Sequence, residues 1–260
     1  MARWLPGAAL ALACATPAAA GEKVNPYPAP GMMEASCPAS RDGLWALDER
    51  VLQSDWAWQC RYREENARVD PARPPRAVFI GDSITEGWLN ADPDFFAHGF
   101  LDRGISGQTS AQLVVRFWQD VVALHPRVVH IMIGTNDIAG NTGPTTPEAY
   151  KNAIRAMVTL ARANNIEVVL GSIPPTDRFD WAPQHKPAVW VATLNAWLRD
   201  YAAGEGLVYA DYYAALVGPD GSFPREWAPD GVHPNKSGYA MMRPIAERAV
   251  AEAEARAARR

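Results

Sequence analysis

Four short stretches of this chain carry side chains suited to chemistry. They are Gly-Asp-Ser-Ile with Ser83, Gly-Ile-Ser-Gly with Gly107, Gly-Thr-Asn-Asp with Asn136, and Asp-Gly-Val-His-Pro with Asp230 and His233. Acyl transfer by a serine needs a hydroxyl to attack, an imidazole to take its proton, a carboxylate to hold that imidazole, and N–H donors aimed at the developing oxyanion. All of these parts are present. Asp230 and His233 stand three residues apart in a loop that also holds Gly231 and Pro234, so one local structure can carry both the base and the acid that orients it. Ser83, Gly107 and Asn136 come from three separate loops and depend on a scaffold to meet.

Each residue also has a plainer reading when taken alone. A serine after a strand is ordinarily a cap or turn residue, and the same holds for Gly107 and Asn136 in their turns. Asp230 and His233 resemble half of a zinc site. A metal needs further ligands, however, and His98, His125, His130 and His185 form no compact group along the chain. His130 falls inside an apolar run and reads as a packing residue. Neither a metal nor a cofactor is expected.

The scaffold is legible as alternating strands and helices. Strand-like runs fall at 77–81, 100–104, 127–134, 166–172 and 207–211. The run at 127–134 is almost wholly apolar, which suits a strand covered on both faces and marks the centre of the sheet. Helical stretches lie at 112–124, from Thr146 and Pro147 onward, around Trp190 to Tyr201, and from about Asn235 to the charged C-terminal tail, where Pro244 is a potential kink. This alternation predicts a parallel sheet wrapped by helices on both faces, with ligands beyond the carboxyl ends of the strands. Three of the four polar stretches follow or lie close to such an end. Before the sheet, Leu44, Leu47, Val51 and Trp58 fall near helical spacing between Asp42 and about Asn66, which predicts an N-terminal helical extension.

Taken together and in this order, the four stretches resemble the GDSL, or SGNH, hydrolase family over roughly residues 76–250. The resemblance implies a three-layer α/β/α sandwich with a five-stranded parallel sheet of flavodoxin-like type. It implies Ser83 as nucleophile, His233 and Asp230 as the rest of the triad, and the backbone N–H groups of Ser83 and Gly107 with the Asn136 amide as the oxyanion hole. The first stretch has Ile84 where the family name has leucine, a similar apolar residue.

The opening 20 residues have Arg3 as their only charge, an apolar centre and small residues up to Ala20, the pattern of a secretory signal peptide. Their apolar run is too short to span a bilayer, and a lipid anchor on Cys14 lacks its usual preceding leucine. The expected organisation is a signal peptide at 1–20, an N-terminal extension at 21–75 and an SGNH hydrolase domain at 76–258. Without the signal the chain has 24 basic against 29 acidic side chains, a net charge of −5 that offers nothing to nucleic acid. Export to the periplasm or beyond leaves Cys37 and Cys60 as an even pair in an oxidising compartment, where a disulfide is expected.

Aromatic residues near the polar stretches suggest the substrate. Trp88, Phe95 and Phe96 follow the serine, Trp181 lies in a proline-rich loop, and Trp227 precedes Asp230 by three residues. Flat rings beside an esterase centre suit sugar faces. An acetylated glycan is therefore the first choice, with Trp88, Trp181 and Trp227 as binding residues. A lipolytic esterase or lysophospholipase is the alternative, and a non-catalytic glycan-binding module is the alternative of another class.

Overall fold

A computed structural model describes residues 25–27, 36–40 and 43–259. The signal peptide reading and Cys14 lie outside the described residues. Strand β1 (Ala77–Gly81) is followed by helices α3 (Ser83–Ala91) and α4 (Pro93–Phe96), the first two helices, α1 (Glu49–Ser54) and α2 (Arg63–Ala67), having come before it. Next come β2 (Phe100–Gly104), α5 (Ser110–Asp120), β3 (Val128–Met132), α6 (Thr135–Ala139) and α7 (Pro147–Ala163). The chain continues through β4 (Glu167–Gly171), α8 (Pro187–Glu205), β5 (Val208–Ala210), α9 (Tyr212–Leu216) and α10 (Lys236–Ala257).

The five strands form one parallel sheet in the order β2-β1-β3-β4-β5, with β3 at its centre. Alternation along each strand divides the core in two. Val78, Ile80, Val129, Ile131, Val168 and Leu170 meet α5, α7 and α8 on one face. Phe79, Met132, Val169 and Val208 meet α3, α4, α9 and α10 on the other. This is the three-layer sandwich expected from the strand and helix pattern. His130 belongs to the second face, fully buried, stacked on Phe79 and bonded through Nε2 to the Tyr212 hydroxyl at 2.8 Å. Burial pulls its pKa down to about 3, so it is a neutral packing residue at any physiological pH.

Local signals explain the helix starts. Thr146 accepts a hydrogen bond from the Ala149 N–H and Pro147 opens α7, while the Asn235 carboxamide accepts from Ser237 and Gly238 at the head of α10. Pro244 is accommodated inside α10 and does not end it. Among the described residues no helix is long and apolar enough to cross a membrane.

The N-terminal extension differs from its expected form. Two short helices replace one, because Asp55 ends α1 and its carboxylate then accepts from the N–H groups of Gln59 and Cys60, turning the chain where Trp58 adopts a φ of +47°. A Cys37–Cys60 disulfide, with Cα atoms 5.5 Å apart, ties this turn to the preceding segment. Ala46, Val51, Trp58 and Tyr62 form a small apolar cluster against Ile105, just beyond β2.

Residues 83–96 form α3 and α4, and Trp88, Phe95 and Phe96 point into the core around Phe79, with Trp88 stacked on Phe95 at 5.0 Å and on Tyr239 at 5.5 Å. Trp88 is fully buried and has no face to offer a ligand, so its reading as a sugar-binding residue is corrected. Trp88→Ala should therefore act through stability, costing about 3–5 kcal/mol as a large core truncation does. Urea unfolding followed by circular dichroism measures this, and a cost below about 1 kcal/mol would contradict the core assignment.

Candidate active site

The first corner of the site is a sharp turn from β1 into α3. A Cβ on Gly81 would lie 2.1 Å from the Thr85 hydroxyl and 2.4 Å from the Met132 carbonyl, so only glycine fits. Asp82 is the N-cap of α3, its carboxylate accepting from the Ile84 N–H at 3.0 Å. The capping role thus falls to Asp82 and leaves the Ser83 hydroxyl free. Ser83 stands at the first helical position, where the backbone N–H has no partner within the helix.

The Ser83 Oγ lies 2.9 Å from His233 Nε2, and His233 Nδ1 lies 2.6 Å from an Asp230 carboxylate oxygen. The other Asp230 oxygen accepts from the backbone N–H groups of Val232 and His233, at 2.9 and 2.8 Å. One aspartate thereby fixes both the loop and the ring. With Nδ1 donating to the carboxylate, Nε2 presents its lone pair to the serine. Partial burial raises the Asp230 pKa, but the bonds from the His233 ring and the two backbone N–H groups outweigh it and hold the carboxyl below its ordinary value. It is ionised throughout the neutral range.

Two further loops border the serine. Gly107 has a φ of +84° and lies under the Leu47 side chain of the extension, where a Cβ would come within 3.0 Å. Asn136, buried in α6, donates its amide to the Gln108 carbonyl at 3.1 Å, and its contact with Asp82 at 3.4 Å is long enough to leave one hydrogen recruitable. The Asn141 amide donates to the Asn136 Oδ1 at 2.7 Å and so determines which way the Asn136 amide faces. The structure thus joins Ser83, His233 and Asp230 in one chain of hydrogen bonds and sets the Gly107 loop and Asn136 beside them. Of the three tryptophans, only Trp181 is exposed beside this group, its ring 6.3 Å from that of His233 and its indole N–H donating to Asn141 at 3.1 Å. Trp227 is partly buried and packs against the core.

Sequence reasoning missed several supporting residues. Arg116 is wholly buried and donates to Asp120 at 2.9 Å, to the Gln108 side chain at 2.6 Å and to the Gly81 carbonyl at 3.0 Å. Its signal was available, since Arg116 and Asp120 lie four apart on the same helical face as Leu113 and Phe117. Glu86 and Ser106 had no such signal. The Ser106 N–H and hydroxyl both donate to Glu86, which also pairs with Arg61 at 3.2 Å.

A serine, an imidazole and a carboxylate joined in this way beyond the strand ends of a parallel α/β sandwich are the parts of an acyl-transfer enzyme. Residues 79–241 match the model of the GDSL-like lipase/acylhydrolase family, and the chain belongs to that family. It is similar to an acylhydrolase candidate from Bacteroides fragilis NCTC 9343, with 41% identity over 77% of this chain and 99% of the other and a TM-score of 0.74. A GDSL-like lipase from Bacteroides thetaiotaomicron VPI-5482 is similar at 39% identity, covering 76% and 98% of the two chains, with a TM-score of 0.73. An acetylxylan esterase from Geobacillus stearothermophilus shares the fold at 20% identity, covering 67% and 93%, with a TM-score of 0.54. No match was found among curated protein sequences.

Around the site, burial leaves three carboxyls reluctant to ionise. Desolvation pushes Asp82 up from 3.8 to about 7, against the opposing Ile84 N–H, and likewise raises Asp102 to about 7 and Asp137 to about 6. These groups hold protons in the folded state that the unfolded chain has released, so their contribution is full below pH ~4 and is lost as pH rises through 6 to 7. His130 opposes this trend inside the window, because the unfolded imidazole takes up a proton that the buried ring refuses, and it offsets part of the gain from the three carboxyls. Asp230 acts in the opposite sense only as pH falls through its depressed pKa, below this window. The thermal midpoint should consequently rise when pH is lowered from 8 to 5.5. In Asp82→Asn, which keeps the capping acceptor, that rise should be smaller; an unaltered slope in calorimetry would remove Asp82 as a source.

Proposed function

We propose that this protein is an exported serine esterase that removes short acyl groups, acetyl foremost, from carbohydrate. The observation that carries this reading is the groove in front of Ser83 and His233, an open space of about 490 Å³ bordered by Glu86, Asn90, Ser106 and Lys236. These charged, amide and hydroxyl-bearing side chains suit an alcohol rich in hydroxyl groups, and Ala91, Pro234 and Tyr239 beside them offer the apolar faces that a sugar ring also needs. Export is supported by the Cys37–Cys60 disulfide, which belongs to an oxidising compartment.

In this mechanism His233 Nε2 takes the Ser83 proton as Oγ attacks the ester carbonyl. The oxyanion is met by the N–H groups of Ser83 and Gly107 and by the recruitable hydrogen of the Asn136 amide. Asp230 stabilises the imidazolium, which returns the proton to the departing alkoxide. Water then enters, gives a proton to His233 and attacks the acyl-enzyme, and the proton goes back to Ser83 as the carboxylic acid leaves.

Ser83→Ala and His233→Ala should each abolish ester turnover while the thermal midpoint stays near wild type, and a fluorophosphonate should label Ser83 alone. Asn136→Ala should lower kcat by about a hundredfold or more. Turnover persisting in Ser83→Ala would overturn the mechanism. The substrate class is tested by kcat/KM on an acetylated sugar, an aryl acetate and an aryl octanoate. The acetylated sugar should be the best of the three, and a clear preference for octanoate would favour a lipolytic esterase instead.

A further inference from the structure

The groove at Ser83 does not stop at the hydrolase core. At Glu86 and Ser106 it meets a second hollow of about 360 Å³ walled by Leu44, Trp45, Trp58 and Arg61 of the N-terminal extension. These four residues precede the stretch 79–241 that carries the family match. Glu86 and Ser106 are common to both spaces, so the two lie side by side along the same edge of the site.

The chemistry of the hollow is specific. Trp45 is 52% exposed and stands at the wall. Glu86 is held by two hydrogen bonds from Ser106, which fix its carboxylate at the junction. Its other oxygen meets the Arg61 guanidinium, which in turn lies over the Tyr62 ring at 4.5 Å. The disulfide at Cys60 anchors the chain immediately before Arg61. A flat aromatic face beside a fixed carboxylate and a fixed guanidinium can bind a ring that is apolar on its faces and carries hydroxyl groups on its rim.

We propose that this hollow is a subsite for the sugar unit adjoining the acylated one, with Trp45 as its stacking platform and Glu86 and Arg61 as its hydroxyl partners. The N-terminal extension would thus make the enzyme selective for oligosaccharide esters over monosaccharide esters. This rests on the carbohydrate reading above and goes a step beyond it. Two arguments favour the alcohol portion as occupant. The space containing His233 is where the leaving oxygen lies, because His233 returns the proton to it, and an acetyl group needs room for only a methyl.

The test measures kcat/KM for an acetylated xylotriose, an acetylated xylose and an aryl acetate, with wild type, Trp45→Ala, Trp45→Phe and Trp118→Ala. Trp118 is also exposed but lies on α5 and lines neither space. The wild-type ratio of trisaccharide to monosaccharide should be roughly tenfold, the factor that about 1.4 kcal/mol of ring contact supplies. It should fall toward one in Trp45→Ala, be largely kept in Trp45→Phe, and be unaffected in Trp118→Ala. A ratio near one in wild type, or a ratio that survives Trp45→Ala, would overturn the subsite while sugar acetates can still surpass the aryl acetate. Wild type preferring the aryl acetate over both sugars would overturn the carbohydrate reading, and the subsite with it. A thermal midpoint for each variant ties any change in ratio to folded protein.

Discussion

One buried cation holds the active-site end of this molecule together. Arg116 has no exposed surface, and a guanidinium removed from water costs several kcal/mol unless its donors are met. Its partners are Asp120 on its own helix, the Gln108 side chain next to Gly107, and the Gly81 carbonyl at the end of β1. The strand end that presents Ser83 and the loop that presents Gly107 are thereby bound to the same group. Moving either would leave one of the buried guanidinium's N–H donors unmet, although the Asp120 ion pair would remain. That penalty gives the turn before the serine and the loop across from it a fixed separation.

The network extends outward from there. Asp120 accepts from the Asn66 side chain in α2, and the Asn66 side-chain Oδ1 accepts from Arg103 on β2. Gln108 donates to the Ala57 carbonyl and Gln112 to that of Trp56. The Tyr62 hydroxyl donates to the Gly104 carbonyl, and Leu47 covers Gly107. The extension is therefore wired to the same loop that faces the serine, through backbone carbonyls that no sequence pattern advertises. It is packed onto the working edge of the sheet, which is why it can contribute walls to the groove.

Electrostatics at the site divides along burial. Asp230 is partly exposed and receives three hydrogen bonds, so it stays charged and can steady a positive imidazole. Asp82 and Asp137 flank the serine and Asn136 in sequence yet are sealed from solvent, which keeps protons on them well above the usual carboxylate range. The same side chain thus serves as an ion in one place and as a weakly acidic hydrogen-bonding group in another. Solvent access decides which.

Much of this was legible in the sequence. The strand positions hold to within two residues at each end, because runs such as Val-Val-His-Ile-Met are apolar on both faces and suit only a covered strand. The caps at Thr146 and Asn235 are local hydrogen-bond chemistry, and Asp230 with His233 is a three-residue unit. What the sequence left open depended on which surface a residue meets. Trp88, Phe95 and Phe96 stand in two short helices that meet at Asp92 and Pro93, and only their packing around Phe79 separates a core aromatic from a ligand-facing one. Leu44 to Trp58 has too few turns for periodicity to distinguish one helix from two, and the Asp55 turn with the disulfide decided it. Residue types and short spacings therefore determined the chemistry and the layers, since both are set within a few residues of chain. The tertiary structure alone decided which aromatics face solvent and that Trp45 and Arg61 border the groove, since those depend on contacts between segments far apart in sequence.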